Sequence, residues 1–133
     1  MAFVAMAFWE AYIEGKYPWA KRQVGWEKRI SNHWTLTGYH FWVYVMLLLF
    51  LTLPLVTSGF SWRLLGLLIF AASLGTNLED FLWYVINPFY GLKNFNPRDA
   101  PWYRWTKIGP VTLPTSYYVA FLLAFLSWFF LVR

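Results

Sequence analysis

Glu79 and Asp80 stand side by side in a stretch, Leu64 to Leu92, that holds no other charged residue. Carboxylates set among Leu, Ile, Phe and Trp are costly to place in lipid, and in that setting they mark a proton, ion or partner site. On a helix, positions i, i+4, i+7 and i+11 form one narrow stripe. One such stripe reads His33, Thr37, His40, Tyr44, and a second reads Ser73, Asn77, Asp80, Tyr84, with Thr76 and Asn87 at its edges. An imidazole facing a carboxylate at one depth supports acid–base exchange or cation binding. The bland alternative is interhelical hydrogen bonding alone, at roughly 0.6–2 kcal/mol per contact. Glu79 points about 100° away from Asp80, so the two cannot squarely face one partner.

Glu10 and Glu14 lie four apart and share a helical face. They join His40, Glu79 and Asp80 in one acidic cluster if the amino-terminal helix tucks under the bundle; otherwise they face water. His40, Glu79 and Asp80 are also the candidate ligands for a hard divalent metal, since oxygen and imidazole donors suit such ions. Other chemistries are excluded. The chain has no cysteine, so disulfides, thiol chemistry and iron–sulfur clusters are absent. No helix carries Glu-x-x-His, no His-Glu-x-x-His occurs, and no glycine-rich phosphate loop is present. Nothing activates Ser73 as a nucleophile beside His40 and Asp80. His33 and His40 are about 10 Å apart along one helix and cannot ligate one haem iron together.

The elements that must position these groups are membrane spans. The chain is 59% hydrophobic and 13% charged, against about 25% charged in a soluble domain. The expected fold is all-α and integral to the membrane, with three transmembrane helices plus a short amino-terminal interfacial or re-entrant helix. Residues 2–14 favour helix but fall short of the about 20 residues that cross a bilayer, and Gly15 and Pro18 end them. The spans are expected at 35–56, 63–87 and 115–132, in one domain covering 1–133. Asn87-Pro88 stops the second span, because proline disfavours helical geometry at the residue before it. The opening residues lack the basic leader and cleavage site of a signal peptide. The six-residue turn at 57–62 makes the first two spans antiparallel neighbours, and their polar stripes then meet at similar depth, with His40 near Asp80.

Lys and Arg divide nine to two between the two sides of such a bundle. The amino-terminal segment and the 88–114 loop carry the nine, which places both in the cytoplasm and the carboxyl terminus outside. Lys21, Arg22, Lys93, Arg98, Arg104 and Lys107 are expected to reach lipid headgroups, favouring anionic lipid and not nucleic acid. Ten Trp, nine Tyr and thirteen Phe suit the membrane interface, where amphipathic rings settle. The aromatic, basic 88–114 loop is read as lying at headgroup level, as a lid over the polar cluster, or as a docking segment. Three functional readings follow. The first is a non-catalytic subunit or interaction partner of a larger membrane assembly. The second is a homo-oligomeric proton- or ion-conducting element using Asp80 or Glu79, because three helices alone enclose too little volume. The third is an intramembrane metal-dependent enzyme acting on a lipid or small amphiphile.

Overall fold

A computed structural model describes residues 1–18, 25–31 and 34–133. Its elements are α1 (Ala2–Glu14), β1 (Glu27–Ser31), β2 (Trp34–Thr37), α2 (Gly38–Ser58), α3 (Trp62–Ile86), β3 (Trp105–Ile108), β4 (Val111–Pro114) and α4 (Thr115–Ser127). A wider π-type turn, Trp128–Val132, continues α4 to the end of the chain. Three helical segments, Gly38–Ser58, Trp62–Ile86 and Thr115–Val132, are long and apolar enough to cross a membrane. The pattern of burial suits lipid as solvent: Leu48, Leu49, Phe50, Phe125 and Phe130 are exposed, while His40, Asn77, Asn87 and Ser127 are buried. Hydroxyls on the spans satisfy themselves, since Thr52, Thr57 and Thr76 each donate to the carbonyl four residues back.

The helix α3 is the centre, packed by α1 on one side and α4 on the other. Two glycines permit these approaches. A Cβ on Gly75 would sit 2.2 Å from the Phe3 ring, and one on Gly66 would sit 2.6 Å from the Leu131 Cβ. The Gly66 carbonyl also accepts from the Ser127 hydroxyl at 2.5 Å. At the other end of α1, the Asn87 side-chain amide donates to the Gly15 carbonyl at 2.8 Å. The Phe3–Gly75 and Gly15–Asn87 contacts are twelve residues apart on both helices. The helix α1 therefore runs parallel to the carboxyl-terminal half of α3 for about 18 Å. It is a half-length helix standing beside a span and not one lying flat across its end.

The all-α expectation needs one addition. Residues read as connector and loop form two antiparallel hairpins, β1–β2 with Glu27 opposite Thr37, and β3–β4 with Trp105 opposite Pro114. Period-two alternation is weak over strands this short, which is why they do not stand out in sequence. The first hairpin also moves the start of α2: Thr35 pairs with Arg29, and Thr37 caps the helix by accepting from the His40 backbone N–H at 3.2 Å. The 88–114 segment folds back as well. Ala11, Trp83, Tyr84 and Ala100 form a buried cluster against which Tyr90, Phe95, Trp102, Tyr103 and Trp105 pack. That aromatic plug closes the end of the bundle where α1 and α3 finish and α2 and α4 begin.

Candidate functional site

Beside the plug, and bordered by its Trp102 and Tyr103, lies a cavity of about 760 Å³. Its polar wall comes from four helices: Glu10 on α1, His40 and Tyr44 on α2, Asn77, Glu79 and Asp80 on α3, and Ser116 and Tyr117 on α4. Met6, Val43, Leu47 and Ala120 supply apolar lining. The three spans do not enclose this space alone: α1 adds a fourth wall and the folded 88–114 segment adds a roof.

The two adjacent carboxyls have different surroundings. Asp80 receives one hydroxyl on each oxygen, from Tyr103 at 2.5 Å and from Tyr117 at 2.6 Å. Such hydroxyl donors substitute for water around a buried carboxylate. Glu79 is served otherwise. Its Oε1 is buried and meets no N–H or O–H donor among the described residues, while its carboxyl lies against that of Glu10. The Tyr39 hydroxyl adds a long donation to Glu10 at 3.4 Å.

His40 and Asp80 line the same cavity, yet Asp80 takes its hydrogen bonds from the two tyrosines. The His40 Nδ1 lies 2.7 Å from the Thr37 hydroxyl, and its Nε2 lies 3.8 Å from the carboxylate of the buried Glu14. Tyr84 is fully buried in the aromatic plug and does not line the cavity. Asn77 ties α3 to α4 by donating to the Tyr117 carbonyl at 3.3 Å. Lys93, Arg98, Arg104 and Lys107 are exposed on the 88–114 segment, and Arg104 also reaches the cavity lining. Lys21, Arg22 and His33 lie outside the described residues.

Tyr103 and Tyr117 were not among the residues singled out from sequence. Tyr103 belongs to an irregular segment with no helical stripe, and only its place within Trp-Tyr-Arg-Trp hints at a special role. Tyr117 was legible in principle as a polar group in the first turn of the last span. Burial, followed by the charge of Asp80, pushes the Tyr103 phenol well above its ordinary range, so it remains a neutral donor. Among the described residues, no three His, Asp or Glu side chains come together as a metal-binding group. The set His40, Glu79 and Asp80 is thus split among separate partners.

No protein-family model, no curated protein and no solved structure matches the chain.

Proposed function

We propose that this membrane protein binds a small cationic amphiphile within the cavity and exchanges a proton with it through Glu79 and Glu10. The observation that carries this reading is the buried Oε1 of Glu79, without a hydrogen-bond partner among the described residues and beside Glu10, in a cavity to which Met6, Val43, Leu47 and Ala120 add an apolar part. In this reading the two carboxyls share one proton, and a protonated amine supplies the missing N–H donors and offsets the remaining negative charge. Its hydrocarbon part occupies the apolar lining. The volume falls within the roughly 300–1,000 Å³ range of small-molecule sites. Transfer of the ammonium proton to the pair leaves a neutral amine and a protonated carboxyl, and the reverse step restores both. This version of the transport reading needs no oligomeric axis.

The amino terminus and the 88–114 segment are assigned to the cytoplasm on the nine-to-two division of Lys and Arg, with the carboxyl terminus outside. Labelling of single cysteines, introduced at Ser58 and at Asn94 of this cysteine-free chain, tests the assignment in intact cells.

The binding reading is tested with octylamine, octanol and octanoate, which share one chain and differ in head charge. Nanodiscs loaded with the protein, compared with empty ones, are expected to retain octylamine above the other two. Equal retention of all three overturns the reading. A subunit role is the second reading, favoured by α2, which buries only Gly38, His40 and Val43 near its start and leaves its distal half uncovered by the chain. Native mass spectrometry after extraction in mild detergent tests it, since foreign chains bound in fixed proportion support that role and an isolated chain opposes it.

A further inference from the structure

The hairpin β3–β4 has two chemically distinct faces. Ile108 pairs with Val111 and Lys107 with Thr112. Directly paired residues share a face and successive residues alternate, so Ile108 and Val111 point to one side and Lys107 to the other. Both apolar residues are exposed, at 57% and 48%. The base of the hairpin is fixed to the start of α4 by Thr115, whose backbone N–H and hydroxyl donate to the Arg104 carbonyl at 2.7 and 2.9 Å.

The tip is fixed too, and its position says what it meets. The Tyr118 hydroxyl donates to the Val111 carbonyl at 3.2 Å. Tyr118, Leu122, Phe125 and Phe129 follow the i, i+4, i+7, i+11 spacing of a single helix face, and Leu122, Phe125 and Phe129 are all exposed. That stripe is the lipid-facing side of a spanning helix. A strand pair of four residues each, extending straight from α4, would carry its tip about 13 Å away. The bond to the first turn of α4 instead holds the tip beside the lipid-facing stripe, at the depth where the span begins.

We propose that β3–β4 is a wedge that dips into the membrane interface and binds an anionic phospholipid, with Ile108 and Val111 among the upper acyl chains and Lys107 and Arg104 on the headgroup phosphate. Charge distribution selects the anionic lipid. Among the described residues, Lys16, Lys28, Arg29, Lys93, Arg98, Arg104 and Lys107 gather at this end, against Arg63 and Arg133 near the other end of the bundle. Cations gathered near a negative membrane surface are drawn to it. Arg104 also borders the cavity, whereas Lys107, Ile108 and Val111 do not, so the depth of Ile108 tests the wedge whatever the cavity binds.

The absence of native cysteine allows a clean depth measurement. A spin label on I108C, in nanodiscs of phosphatidylcholine and phosphatidylglycerol, is expected to collide with dissolved oxygen more than with a water-soluble nickel chelate. A label at N94C serves as the reference. In parallel, native mass spectrometry is expected to show phosphatidylglycerol retained over phosphatidylcholine, with that preference falling about threefold or more in R104Q/K107Q and unchanged in R63Q. Circular dichroism checks that the variants keep their helix content. A label as open to the nickel chelate as the reference, or a lipid preference that survives R104Q/K107Q, overturns the proposal.

Discussion

The Tyr103 hydroxyl donates to Asp80 across 23 residues of sequence, at 2.5 Å, and so pins the folded 88–114 segment to the middle helix of the bundle. Tyr117 does the same from α4 at 2.6 Å. One carboxyl group therefore joins the roof, the central helix and the last span, and a buried carboxyl supplied with two hydroxyl donors is a structural anchor.

Removal of either hydroxyl leaves a buried oxygen of Asp80 without its donor. Tyr103→Phe and Tyr117→Phe are each expected to lower stability by about 1.5–3 kcal/mol, the range for hydrogen bonds to charged groups. Thermal unfolding in detergent measures this, and unchanged melting temperatures in both variants would contradict the anchor.

Alkaline pH tests the same bond from another side. Burial and Asp80 hold the Tyr103 phenol above its ordinary value, so above pH about 10 the unfolded chain releases this proton while the folded one keeps it. The contribution is fully present below pH about 10 and is lost as pH rises through the folded value. The melting temperature should fall above that point, and fall less steeply in Tyr103→Phe. Parallel curves for the two proteins would remove Tyr103 from the account.

The close approach of α1 to α3 predicts a paired result. Gly75→Ala drives a methyl into the Phe3 ring and is expected to cost about 1–3 kcal/mol, the usual range for overpacking. Phe3→Ala in the same chain should restore part of that loss. Additive costs in the double variant would mean that the two residues do not touch.

The two neighbouring carboxyls should separate in function. Glu79→Gln is expected to keep the fold and reduce octylamine retention about tenfold, equivalent to about 1.4 kcal/mol. Asp80→Asn should chiefly lower stability, because an amide can no longer accept on both sides. Equal effects of the two substitutions on both readouts would erase the distinction drawn between anchor and exchange site.

Much of the frame was legible in the residues. Three long apolar runs can be read as spans because bilayer thickness sets their length, and the Asn87-Pro88 stop marks an end by local sterics alone. The stripe Ser73, Asn77, Asp80, Tyr84 lies on α3 as read, since helical pitch is fixed, whereas the first stripe keeps only His40 and Tyr44 on α2, because Thr37 ends β2 and His33 lies outside the described residues. The hairpins were not legible, because Lys-Arg-Ile-Ser and Trp-Thr-Lys-Ile carry no alternation strong enough to separate strand from loop.

Local sequence thus determined which segments are helical and apolar, and that carboxyls and an imidazole sit on faces of those segments. It did not determine their partners. Glu79 meets Glu10 because Gly75 lets α1 stand against α3, and Asp80 meets Tyr103 because the 88–114 segment folds back over the bundle. These pairings join residues 69 and 23 positions apart. Helical pitch fixes the direction of a side chain within its own helix, whereas packing between helices decides what it touches.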